Sequence, residues 1–331
     1  MIFQIRWRRS LHQRPDPTAI ASAPDCVVVH ERGTRLVCLD PVDGAARWDV
    51  PIGTWPRAVV VDGTQCWVIS QDRAELRCLD LHTGTILWSA DLSPFPGHIV
   101  VAGDRVLAGG WRGYTRLRAY DRWTGSPLWT DPQRTATVLP TAIGGQVLVG
   151  EPGGTSVRLL DGRDGGEVFR WTLPEPLMAG DGQWPAFVTA DADRVLLRCG
   201  ARTVWQLQPA AGTLGEFFRH DGDLAQHGIG VADATAWVPE RRGGLVSVDL
   251  TTGTRLWRLD VGSDVTGEAV RIGAGQVVAT RRPGMLMLVD DSGRPHVRAL
   301  VDRQLTGIRH LAPDLLLVLG KGTLSAVSVT D

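Results

Sequence analysis

The sequence predicts an all-β chain: an eight-bladed β-propeller of four-stranded antiparallel blades, its ring closed by the N-terminal strand joining the C-terminal blade. Three observations predict it. The stretch Leu245-Val-Ser-Val-Asp-Leu-Thr-Thr-Gly-Thr-Arg-Leu-Trp257 reads as strand, tight turn and strand. It recurs at Leu36…Asp40…Gly44…Trp48, Leu76…Asp80…Gly84…Trp88 and Leu117…Asp121…Gly125…Trp129, and more loosely at Val157…Asp161…Gly165…Phe169. The spacing is fixed, with 40 residues from Trp48 to Trp88 and 41 from Trp88 to Trp129. A period of about 40–45 residues is one propeller blade. Helical periodicity of any length is absent.

Turn positions count the blades. Asp40, Asp80, Asp121, Asp161, Gln208, Asp249, Asp290 and Asp331 mark eight, and 331 residues over 8 give 41.4 per blade. The whole chain, residues 1–331, is therefore expected to form one propeller domain. Each blade runs A, B, C, D from the channel outwards. The B strands are expected at Cys26–His30, Cys66–Ser70, Arg105–Gly109, Gln146–Gly150, Arg194–Cys199, Thr235–Pro239, Gln276–Thr280 and Asp314–Leu319. These are apolar runs of strand length bounded by glycine or charged turns.

The termini complete one another. Trp7 lies 41 residues before Trp48, so residues 2–10 read as an outer strand whose three partners are missing locally. Residues 307–313, 314–320 and 323–330 supply those partners, and blade 8 is residues 307–331 plus the outer strand 2–10. Joining both ends removes edge strands that would otherwise template aggregation. Blade 5 is the irregular one. Gln208 replaces the turn Asp, no Trp follows Gly212, and Gly165 to Gly212 is 47 residues, with the excess assigned to the loop Leu173–Pro185.

The repeated residues have structural work to do. Asp at the end of strand C accepts backbone N–H groups of the following turn. The Gly four residues on supplies positive φ at no steric cost. The Trp on strand D buries its ring between blades and needs an acceptor for its indole N–H. Seven such carboxylates around a ring read as turn caps rather than acid/base groups.

Composition narrows the function classes. There are 35 basic and 36 acidic residues, a net charge of −1, so the basic excess of a nucleic-acid or anionic-membrane binder is missing. The chain has one lysine, Lys321, and no asparagine, a bias expected of a GC-rich bacterial genome. Cys26, Cys38, Cys66, Cys78 and Cys199 are an odd number without metal-ligand spacing, which fits a reducing compartment. They are read as small packed hydrophobes, with a cross-strand bond in each of blades 1 and 2 as the alternative. No run approaches a membrane span or a secretory signal. A cytoplasmic, monomeric protein is expected.

Asp-x-x-Thr-Gly-x-x-x-Trp, as in Asp80-Leu-His-Thr-Gly-Thr-Ile-Leu-Trp88 and Asp249-Leu-Thr-Thr-Gly-Thr-Arg-Leu-Trp257, resembles the tryptophan-docking repeat of the PQQ-like propellers. That superfamily includes the quinoprotein alcohol dehydrogenases and BamB-like assembly proteins. The resemblance spans essentially the whole chain and implies the eight-bladed fold. The family's enzymes bind pyrroloquinoline quinone (PQQ) and Ca²⁺ through an Asn and acidic ligands, often beside adjacent cysteines. This chain has neither Asn nor adjacent cysteines, so no such site residue carries over, and neither PQQ nor calcium is expected as a cofactor. BamB-like assembly work is disfavoured in the same way, by the missing signal and lipidation Cys.

A site is expected where D–A and B–C loops share one face, because loops vary freely on a rigid scaffold. The candidate ligand contacts there are Trp55, Arg57, Trp111, Arg112, Tyr114, Trp184, Arg241 and Arg281. Arginine forks grip carboxylates and phosphates, and the aromatic rings supply flat apolar walls. The expected function is a binding scaffold holding a protein partner or an anionic small molecule on this face and in the central funnel. The alternative is a PQQ-independent isomerase, cyclase or lyase with His98 or His227, each at the start of an A strand, as general acid/base. His220, Asp221 and Asp223 form a weaker cation-binding alternative, weighed against a solvated loop.

Overall fold

The computed structural model describes the chain apart from residues 12–18, 32–34, 54–55, 71, 110–114, 134–136, 179–184, 226–227, 267–268, 274 and 331. Its strands form eight four-stranded antiparallel sheets, and none of its described segments is a helix able to cross a membrane. The inner A strands are Ile20–Ala23, Pro56–Asp62, His98–Ala102, Thr141–Ile143, Phe187–Asp191, Gly230–Ala232, Val270–Ile272 and Leu305–Ala312, for blades 1 to 8 in turn. Each is followed outward by B, C and D. The B strand of blade 3 is Arg105–Gly109 and that of blade 5 is Arg194–Cys199, the ranges the sequence predicts.

Blade 8 joins the two ends of the chain. Strand Ile2–Ser10 pairs antiparallel with Thr323–Thr330, which continues to Leu315–Gly320 and Leu305–Ala312. Trp7 then reaches into blade 1, its Nε1 donating to Pro41 O at 2.8 Å. The ring is closed by both a strand pair and a docked indole.

The apolar pattern explains why blades stack. Among the described residues the buried apolar side chains fall into eight clusters, one at each contact between neighbouring blades. In strand Cys26–Glu31, Val27 and Val29 face blade 8 while Cys26 and Val28 face blade 2. A strand buried on both faces is largely apolar, as the B strands are, whereas D strands keep one face in water. The five cysteines are free and buried among these side chains. Burial pushes the Cys78 and Cys199 thiols up to about 12, so they behave as small hydrophobes.

The docking motif recurs with near-constant geometry. Trp48, Trp88 and Trp129 each donate Nε1 to a carbonyl of the next blade: Leu81 at 2.7 Å, Arg122 at 3.0 Å and Gly162 at 2.9 Å. The ring lies on that blade's turn glycine. At Gly125, with φ of 72°, an added Cβ would stand 2.5 Å from the Trp88 ring. Glycine is thus required twice, for the left-handed backbone and for the space. The turn carboxylates act as caps: Asp80 Oδ1 accepts His82 N, Thr83 N and Thr83 Oγ1 at 2.8–3.0 Å. Those donors hold its carboxyl below the usual range.

Blade 5 shows what replaces the missing residues. Asp193, on the A–B turn, accepts Ala210 N at 2.8 Å and so caps the turn that Gln208 does not. In blades 1–4, 6 and 7 a β-bulge lies just before the turn residue; in blade 5 it has moved to Val204/Trp205. The shift takes Glu216 out of the tryptophan slot and sets Phe217 against Gly253 of blade 6. In blade 4 the docking work is divided: Phe169 packs on Gly212, while Trp171 donates Nε1 to Gly212 O at 2.9 Å.

Candidate functional site: the central channel and the loop-rich face

Antiparallel order fixes the two faces. The start of A, end of B, start of C and end of D lie together, so D–A and B–C loops share one face, and A–B and C–D turns the other. Between them the inner strands of six blades, with Leu139 and Pro185 from the loops entering blades 4 and 5, surround a cavity of about 750 Å³. Its wall is largely apolar, with Ile20, Ile99, Leu139, Val231, Val270 and Ile308 among its liners. The titratable side chains on the described wall are His98, Arg271, Arg309 and His310, and none is a carboxylate. Calcium with a quinone would need oxygen ligands there, and this donor set does not fit it.

His98 opens the inner strand of blade 3, where the sequence places it, and is 1% exposed. Its Nε2 lies 3.0 Å from Thr137 O in the loop entering blade 4. A carbonyl only accepts, so Nε2 carries a proton. Burial pushes the imidazole down to about 4, against the pull of that carbonyl and with the Arg57 charge adding to the effect. Arg57, on the inner strand of blade 2, is buried. Arg57 and His98 are the two sequence candidates that come together.

Arg241 and Arg281 lie elsewhere, exposed on the B–C loops of blades 6 and 7. Arg241 Nη1 is 3.5 Å from Asp223 Oδ2. Arg281 borders an open hollow of about 510 Å³ with Ser263, Asp264 and Arg282. Trp55, Trp111, Arg112, Tyr114, Trp184 and His227 fall outside the described residues. His220, Asp221 and Asp223 do not converge. His220 Nε2 contacts Glu240 Oε1 at 3.1 Å, its Nδ1 accepts Gly222 N, and Asp223 turns to Arg202 and Arg241. No group of three His, Cys, Asp or Glu among the described residues is placed to hold a metal.

Two buried polar groups lie within the predicted B strands. Arg198 lies in strand B of blade 5 and is buried, its guanidinium donating to the carbonyls of Ala225, Gly200 and Ala201. Burial lowers it to about 10. His30, not singled out from sequence, lies at the matching end of strand B in blade 1 and shares a 3.0 Å bond with Gly53 O. Arg271, Arg309 and His310 on the channel wall are not among the residues the sequence singles out, which lie on loops and at strand starts. The available signal was two basic residues side by side in one A strand, Arg309-His310.

The buried histidines predict an acid-sensitive fold. Burial also holds the His30 imidazole down to about 4. The unfolded chain, with pKa near 6.5, binds protons between pH 6.5 and 4 that the folded chain refuses, so stability falls as pH falls through that window. Each histidine contributes about 3 kcal/mol to the loss. Urea unfolding at pH 7, 5.5 and 4.5 is expected to show it, and His98→Gln should flatten the slope. An unchanged slope in that variant would refute the assignment.

Docked tryptophans, capped turns and a ring of eight inner strands define this molecule as an eight-bladed propeller of the tryptophan-docking class. The model of the PQQ-like family described as outer membrane protein assembly factor BamB matches residues 4–113 and 72–331, and the chain belongs to that family. BamB from Moraxella catarrhalis is similar over 100% of this chain and 98% of its own, at 16% identity and a TM-score of 0.77. Saccharomyces cerevisiae Sqt1 is similar over 100% of both chains, at 8% identity and 0.79. Dihydro-heme d1 dehydrogenase NirN, in complex with DHE, is similar over 95% of this chain and 73% of its own, at 15% identity and 0.75. Likeness at these identities concerns the fold alone. No curated protein sequence matches the chain.

Proposed function

We propose that this protein is a binding scaffold whose central channel holds a small organic anion with an apolar body. The observation that carries this reading is the channel itself. Its volume of about 750 Å³ lies in the range of ligand pockets, roughly 300–1,000 Å³, and its described wall joins apolar surface to cationic side chains without a carboxylate. Arg271 is braced by Asp291 at 2.5 Å and by Asp233 at 3.7 Å, which fixes it at the turn-side mouth. An apolar body would displace water from the wall, and the charged end would meet the Arg309–His310 pair. His98, with its proton committed to Thr137 O, serves as a strut between blades 3 and 4.

The test is a thermal-shift screen of aliphatic and aromatic carboxylates and phosphate monoesters against the protein and its Ala232→Trp variant. Ala232 is a partly exposed channel liner that also packs on the cluster between blades 6 and 7, so the variant is used only if its cooperative unfolding matches the parent's. A stabilising anion whose effect disappears in the variant is the expected result. No stabilisation by any anion, or stabilisation that survives the plug, would contradict it. A second reading, a protein partner on the loop-rich face, is favoured by the family description as an assembly factor.

A further inference from the structure

The loop-rich face carries a second feature that the channel does not use. On blades 7 and 8, Arg281, Arg282, Arg303 and Lys321 are all exposed. They are gathered around one residue, Gln304. Its side-chain Oε1 accepts Arg282 Nε at 3.1 Å and Nη2 at 2.7 Å, and its backbone carbonyl accepts Lys321 N at 3.0 Å. Arg303 is its chain neighbour, and Arg281 O accepts Leu305 N at 3.1 Å. Ser263 Oγ donates to Arg282 O at 2.6 Å, and Arg281 N donates to Asp264 O at 2.7 Å. Four loops are thus cross-braced into one platform, so little ordering remains to be done on binding.

The charge on that platform is poorly compensated. Arg281, Arg282, Arg303 and Lys321 have no ion-pair partner among the described residues, unlike Arg258 with Glu240 or Arg9 with Glu31. Two acids lie nearby. Asp302 is turned inward, accepting Arg303 N, Gln304 N and Thr323 Oγ1, and Asp264 borders the hollow beside Arg281 and Arg282. Four cations held together on braced loops repel one another, and a bound anion relieves that repulsion.

We infer that this sector is the docking surface for an acidic segment of a partner protein, with Arg281, Arg282, Arg303 and Lys321 as its anchors. The inference goes beyond the channel reading and is independent of it. An open hollow of about 510 Å³ suits carboxylate side chains passing across it rather than an enclosed small molecule. A nucleic acid is the less favoured occupant. The chain is near neutral, without the basic excess that a long polyanion would call for.

The test is fluorescence anisotropy with a labelled twelve-residue Glu/Asp-rich peptide, at low and at physiological salt. Two fourfold charge reversals are compared, R281E/R282E/R303E/K321E and R6E/R73E/R163E/R255E. Each replaces four exposed cations, so both carry the same net charge. The sector variant is expected to bind at least tenfold more weakly, and the control within about twofold of the parent, with melting temperatures unchanged. Equal weakening in both variants would reduce the effect to net charge and overturn the proposal. So would failure of the parent to bind, or a duplex DNA of the same length binding as tightly as the peptide. The Ala232→Trp plug should leave peptide binding intact, which separates this surface from the channel.

Discussion

Removing residues 2–10 is expected to open the ring rather than trim it. That strand is the outer strand of blade 8, paired along its length with Thr323–Thr330 apart from a bulge at Arg6. It also carries Trp7, whose indole donates to Pro41 O and whose ring covers Gly44 of blade 1. Arg8 adds a bond from Nη2 to Val301 O at 2.6 Å, tying the strand back to blade 7. Without it, strand Thr323–Thr330 becomes an edge with unpaired N–H and C=O groups, and the contact between blades 8 and 1 loses its docked ring. Trp7→Ala alone should cost about 3–5 kcal/mol, the usual loss for a buried tryptophan. The truncated chain should lose cooperative unfolding in urea and regain it when a peptide of residues 1–11 is supplied. A truncated protein that unfolds like the parent would show that blade 8 is complete without its N-terminal strand.

Asp131→Ala is expected to be nearly as damaging. Asp131 follows the outer strand of blade 3 and is 3% exposed; its Oδ2 accepts Arg158 Nη2 of blade 4 at 2.6 Å. The same carboxylate caps Gln133 N at 3.0 Å. Deleting it strands a buried guanidinium, at a cost of about 3–5 kcal/mol. Replacing both partners by apolar residues, as in Asp131→Leu with Arg158→Met, should recover most of that loss. Chemical denaturation of the parent, the single variant and the pair measures it. A single variant within about 1 kcal/mol of the parent would mean that the pair contributes little.

The fold was legible because its repeat encodes local chemistry. Each Asp-x-x-Thr-Gly-x-x-x-Trp writes a capped turn, a positive-φ glycine and a docking ring into consecutive residues, so counting motifs counted blades. Trp7 in register announced the closure. What was not legible depends on contacts between segments far apart in the chain. Asp193 capping the turn of blade 5, Phe217 lying against Gly253 and Trp171 sharing the docking with Phe169 are contacts that no local pattern records. The site was partly legible in the same sense. His98 at the head of an inner strand could be placed from the period alone, and the structure sets it on the channel wall beside Arg57. Arg198 reads as one more cation near a loop, yet its strand register turns it inward. Arg309 and His310 line the lumen from Leu305–Ala312, the inner strand of the blade that both chain ends build.

Native mass spectrometry of freshly purified protein, set against its mass after denaturation, tests the channel reading most directly. The account predicts an added small molecule of acidic character, held without a covalent bond, lost on denaturing and missing from the Ala232→Trp variant. A native mass equal to that of the polypeptide, in protein taken from its own host, would contradict it.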